Sequence, residues 1–164
     1  MLQIALGWTD SHLHHFLIGP TSRDWQTAPF LTPYDIAEGD HGIPEADVRL
    51  DQVLHNPGDQ LFYTYDFGDN WQHTLRLETI QPWVDHDPVA VCLDGRRACP
   101  PEDVGGIPGY HDMLATLAGH PTPDTEDHPD WADQLRAWLP PGYDPDVFTA
   151  DQVNQQLQIG THQT

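Results

Sequence analysis

The run Tyr63-Thr-Tyr-Asp-Phe-Gly-Asp-Asn-Trp-Gln-His73, continuing as Thr74-Leu-Arg-Leu-Glu78, constrains the fold more than any other segment. Aromatic and β-branched residues flank Gly68, Asp69 and Asn70, the local signature of a β-hairpin whose strands alternate between a covered and an exposed face. Asp66, Asp69 and His73 stand among Tyr63, Tyr65, Phe67 and Trp71, so ionisable groups lie against apolar surface, where desolvation and neighbouring charge shift proton affinity. A turn made of Asp69 and Asn70 sets Asp66 directly opposite His73. A turn of Gly68, Asp69 and Asn70 sets Phe67 opposite Trp71 and sends Asp66 and His73 to opposite faces. The first register gives both polar groups a partner and is the one expected; it predicts a carboxylate that holds His73 protonated and raises its pKa.

Around the hairpin, residues 12 to 18 alternate as a strand. Residues 19 to 47 are rich in Pro, Asp and Gly and read as a long surface excursion. Residues 48 to 54 form a short strand or a single helical turn, and residues 89 to 93 a short third run. Helical spacing then takes over, at Tyr110, Met113, Leu114 and Leu117 and again at Trp131, Leu135, Trp138 and Leu139. Thr149 and Gln152 have the spacing of a capping box for a last helix carrying Val153 and Leu157. Gly7 reads as the C-cap of a helical start. Strands first and helices last predict an α+β fold: a mostly antiparallel sheet with a central hairpin, and helices packed on one face and concentrated in the C-terminal third. Residues 1–164 are expected to be a single domain.

Two further blocks carry family information: Gly7-Trp-Thr-Asp-Ser-His-Leu-His14, and Cys92-Leu-Asp-Gly-Arg-Arg-Ala-Cys-Pro-Pro-Glu-Asp-Val-Gly-Gly-Ile-Pro-Gly-Tyr110. With the hairpin, and in this order, they make the chain resemble the plasmid pRiA4b ORF-3-like family from Leu2 to about Leu157. The resemblance implies an α+β domain of bacteria and archaea, often on mobile elements, with no settled activity; some relatives are labelled resolvases or transposon proteins. It marks Trp8, Tyr65, Gly68, Trp71, Cys92, Cys99, Gly105, Gly106 and Tyr110 as motif positions of structural character. The family usually opens with two strands and a helix, whereas residues 1 to 7 resemble only the last turns of that helix. The strand pair is therefore expected to be missing or upstream of Met1, leaving a sheet edge through which the chain could self-associate.

Charge excludes much of what the resolvase label suggests. The chain has 26 acidic residues against six arginines and no lysine, a formal net charge of -20. A polyanion is gripped by cationic side chains that displace counterions, so no direct nucleic-acid binding is expected. Ser11 and Ser22 lie outside any arginine cluster or basic segment, which excludes serine recombination, and six scattered arginines make no phosphate clamp for a tyrosine recombinase. No run approaches a membrane span. Two cysteines without a disulfide framework point to the cytoplasm, and Cys92 and Cys99 stand further apart than the roughly two to four residues of a zinc knuckle, as small side chains under a loop.

The candidate ligand or metal residues are Asp66, Asp69 and His73 of the hairpin, His12 and His14 on one face of the first strand with His15 on the other, and Glu102 and Asp103 of the Pro-Pro-Glu-Asp loop. Asp103 is also placed to cap the helix beginning near Ile107. The preferred reading is a non-catalytic binding or interaction module with a protein or small-molecule partner and no cofactor. The alternative is a metal-dependent hydrolase that takes a divalent cation at these acids and histidines. Duplex DNA at about 150 mM salt should show no measurable binding in an anisotropy titration, and a dissociation constant below ~1 μM would overturn the charge argument.

Overall fold

A computed structural model describes residues 1–19, 27–85, 87–120, 122 and 130–161. In chain order the elements are α1 (Leu2–Leu6), β1 (His14–Leu17), β2 (Phe30–Leu31), α2 (Pro33–Glu38), β3 (Ile43–Pro44), β4 (Gln60–Tyr65), β5 (Trp71–Arg76), α3 (Gly106–Leu117), α4 (Trp131–Trp138) and α5 (Ala150–Thr161). They divide into two compact units: His12–Asp85 holds the sheet, and Met1–Ser11 with His86–Thr164 holds the other helices. The architecture is α+β, with the long helices in the last third of the chain.

In the sheet unit the strand order is β3-β2-β1-β4-β5, antiparallel throughout except for the parallel pair β2 and β3. β4 is buried along Leu61, Phe62, Tyr63, Thr64 and Tyr65, the pattern of a strand covered on both faces. β5 alternates, with Trp71, His73 and Leu75 covered and Gln72, Thr74 and Arg76 exposed, which fits its place at the sheet margin.

The register differs from both turns considered above. Tyr65 pairs with Trp71 and Tyr63 with His73, so the connection runs from Asp66 through Asn70. Asp66 and Asn70 both adopt left-handed backbone, at φ 54° and 55°. The Asp66 Oδ1 atom accepts hydrogen bonds from the Gly68 amide at 2.9 Å and the Asp69 amide at 3.2 Å, and the Asn70 amide donates to the Asp66 carbonyl. The Asp66 carboxylate thus organises the loop, and the expected cross-strand pair of Asp66 with His73 does not form.

The excursion expected over residues 19 to 47 contains β2, α2 and β3, with residues 20 to 26 outside the described residues. Its helix carries clear signals. The Thr32 hydroxyl accepts from the Asp35 amide at 3.3 Å, the Asp35 carboxylate accepts from the Thr32 amide at 3.3 Å, Pro33 opens the first turn, and Gly39 closes the helix at φ 101°. Residues 48 to 54 contain a 3₁₀ turn at Leu50–Gln52, following another at Glu45–Asp47.

In the helical unit, Gly7 ends α1 in left-handed geometry at φ 85°, and the Trp8 amide donates to the Gln3 carbonyl at 2.8 Å. α1 lies against α5 and α3 against α4, with Met113, Leu135 and Leu157 buried. Residues 89 to 93 are not a strand. Instead the Asn154 side chain brackets Cys92, accepting from its amide at 2.7 Å and donating to its carbonyl at 2.9 Å, which supplies locally what a neighbouring strand would. α3 begins beside Ile107 as expected, and its N-cap is Gly105 at φ 91°, two positions beyond Asp103. Among the described residues no helix is long and apolar enough to cross a membrane.

Gly109 sits where α3 passes the preceding loop. A Cβ there would lie 1.9 Å from the Val104 carbonyl oxygen, a backbone atom that cannot rotate away. Gly109→Ala should therefore destabilise the fold by about 2 kcal/mol or more, read as a lowered urea midpoint; an unchanged midpoint would show that the loop yields.

Candidate functional site

Pairing brings two of the candidate side chains, His14 and His73, onto one sheet face. Directly opposed residues share a face, and His14 opposes Tyr65, Phe16 opposes Tyr63, Tyr63 opposes His73, and Tyr65 opposes Trp71. Tyr63 and Tyr65 have 0% exposure. Their rings stack at 6.3 Å, with His73 at 5.7 Å from Tyr63, His14 at 5.5 Å from Tyr63, and His12 edge-on to Tyr65 at 5.8 Å. A layer of histidines on tyrosines is the chemical signature of this unit.

The expected histidine pair separates onto two carboxylates. His12 precedes β1, and its Nε2 lies 3.7 Å from Asp66 Oδ2, the oxygen not used by the loop amides. Its backbone amide donates to the Tyr65 hydroxyl at 3.3 Å. His14, inside β1, has Nε2 3.0 Å from Glu45 Oε2 on the first 3₁₀ turn. Glu45 was not among the candidates, and nothing in its local sequence distinguishes it from the other acids of an acid-rich segment.

His73 and His15 are set by burial. Desolvation lowers the proton affinity of His73, outweighing the Trp71 and Tyr63 backbone carbonyls that favour its charged form, so the raised pKa expected from an Asp66 partner is reversed. Desolvation likewise lowers His15, partly opposed by the Asp35 charge and reinforced by His14. His15 lies across from Leu31 and Thr64, with its ring 5.1 Å from Phe67. Asp69 stands at the loop tip, its amide held by Asp66.

In the helical unit, Glu102 has a structural role. Its carboxylate accepts from the Thr9 amide at 3.2 Å and from the Thr9 hydroxyl, while the Trp8 indole donates to the Pro100 carbonyl at 2.9 Å. These bonds fasten the Gly-Trp-Thr block to the Pro-Pro-Glu-Asp loop across more than ninety positions of sequence. Asp103 takes left-handed backbone at φ 59°, and Gly106 follows at φ 66°. Cys92 and Cys99 are free and half-buried, and burial pushes the Cys99 thiol up to about 12, which makes it a poor nucleophile. The Cys99 carbonyl accepts from the Tyr143 hydroxyl at 3.1 Å, and Tyr143 also pairs with Tyr110; burial raises Tyr143 far above the ordinary phenol.

A family model described as plasmid pRiA4b ORF-3-like protein matches residues 1–152. The chain is 39% identical over 119 residues to the uncharacterised protein y4hQ of Sinorhizobium fredii (strain NBRC 101917 / NGR234), across 72% of this chain and 57% of that protein. It therefore spans little more than half the length of that curated relative. Among solved structures it is similar to the protein of unknown function MM3350 from Methanosarcina mazei Go1, with a TM-score of 0.69 and 32% identity over 92% of this chain and 77% of that one.

With His15 and His73 both lowered from 6.5, the folded chain holds fewer protons than the unfolded one between the lowered values and 6.5. Stability contributed by keeping them neutral is fully present above that window and is lost as pH falls through it. The melting temperature should drop as pH falls below 6.5, and His73→Gln should flatten the decline. Calorimetry across that range checks this, and an NMR midpoint of His73 above 6.5 would overturn it.

Proposed function

Because this chain belongs to the plasmid pRiA4b ORF-3-like protein family, and because its motif acids are engaged in holding the fold, we propose that it is a non-catalytic protein-binding module acting in the cytoplasm. Asp66 organises the hairpin loop and Glu102 fastens two family blocks together. Neither is left to serve chiefly as a general acid or base. The observation that carries the reading is the exposed stretch leaving β5: Ile80, Trp83 and Val84 are 63%, 71% and 62% exposed, in a segment without regular structure. Tryptophan is among the residues that most often anchor interfaces, and grouped exposed apolar side chains mark interaction sites.

The metal-dependent hydrolase is the second reading, supported by the His12 and Asp66 donors at 3.7 Å. Metal analysis of freshly purified protein separates the two. The binding reading expects substoichiometric metal and a melting temperature unmoved by a chelator, with a co-purifying protein lost on Trp83→Ala. Stoichiometric zinc or manganese, removed by His12→Ala or Asp66→Ala, would instead establish the hydrolase reading's centre.

A further inference from the structure

The segment that leaves the hairpin is exposed at every position from 78 to 85. Its origin is fixed: the Leu77 amide donates to the Asp59 carbonyl at 2.9 Å, and the Gly58 amide donates to the Leu77 carbonyl at 2.7 Å, so the ladder continues to Leu77 and stops. Beyond it, Pro82 locks its own φ and biases Gln81 toward extended backbone. Such a strap costs less entropy to immobilise than a glycine-rich one. Three large apolar side chains in water, on a stiffened strap rooted in a sheet, are an unfavourable arrangement unless a partner covers them.

The charge around the strap selects the partner. Residues 77 to 85 contain Glu78 and Asp85 but no arginine or lysine, within a chain of formal charge -20; Arg76 lies at the anchored end. A second copy, an anionic lipid surface and nucleic acid are all repelled by this field, whereas a cationic chain is steered toward it. Eight extended residues span about 25 Å, the length of a short linear segment rather than a domain face. Resting on the binding-module reading above, we propose that the strap at residues 78–85 docks a basic, apolar protein segment, with Trp83, Ile80 and Val84 supplying the apolar contact and Glu78 and Asp85 the complementary charge. Contacts made by so short a segment sit at the weak, transient end of protein interfaces.

The test is selection from an unbiased displayed peptide library on the full chain, followed by anisotropy with the enriched peptides. The expected result is enrichment of sequences carrying Arg or Lys beside aliphatic or aromatic residues. Their affinity should fall at least about tenfold in Trp83→Ala, and their salt dependence should flatten in the Glu78→Gln, Asp85→Asn double variant. Unchanged melting temperatures would confirm that both variants are folded. Neutral or acidic peptides that still require Trp83 would overturn the cationic class while leaving the binding-module reading standing. No enrichment, or peptides indifferent to Trp83→Ala, would overturn the strap as the docking surface, and the module reading is then judged by metal content and co-purification. A dimer dissolved by Trp83→Ala in light scattering, or binding to anionic vesicles that requires Trp83, would give the strap to those occupants instead.

Discussion

The pair of hydrogen bonds that the Asp66 carboxylate accepts from the amides of Gly68 and Asp69 sets the register on which the sheet unit depends. A slip of one residue between β4 and β5 would send every side chain to the opposite face. Tyr63, Tyr65, Trp71 and His73 share a face because the loop begins at Asp66 and ends at Asn70, each in left-handed backbone. Asp and Asn tolerate that conformation better than most residues, and a short carboxylate can bond the amides two and three positions on. The register therefore comes from loop chemistry, with the aromatic strands following.

The hairpin is legible in the sequence while its register is not. The run of Tyr, Thr, Phe and Trp around Gly68 identifies two strands and a turn, and both are present. Turns of two and three residues differ in the partner they give Asp66 across the ladder. Asp66 instead finds its partners within its own loop, and its remaining oxygen faces His12, which lies far away in sequence. Helices α3 and α4 were legible because apolar spacing survives in sequence, and α5 through the capping-box spacing of Thr149 and Gln152. The short elements β2, α2 and β3 have no room for a period; Thr32, Pro33, Asp35 and Gly39 still spelled out a capped helix.

For the candidate residues, the structure gives partners that spacing along the sequence does not. His12 and His14 belong to the histidine and tyrosine layer, but each meets a different acid, and Glu45 could not be singled out from sequence. Glu102 and Trp8 belong to blocks that mark the family, and the structure makes them two ends of one fastening in the helical unit. Trp8 and Glu102 are thus accounted for by closure of long chain segments, a role that short-range spacing cannot reveal.

The parallel strand β3 has a directional consequence for the sheet. Its Ile43 amide points inward and donates to the Pro29 carbonyl at 2.9 Å, so the next nitrogen along the strand, that of Pro44, points outward. Proline carries no hydrogen there, and the strand is only two residues long. That margin therefore presents a gap in the donor row an incoming strand would need. β3 thus acts as a terminator, and its margin is poorly suited to accept a further strand.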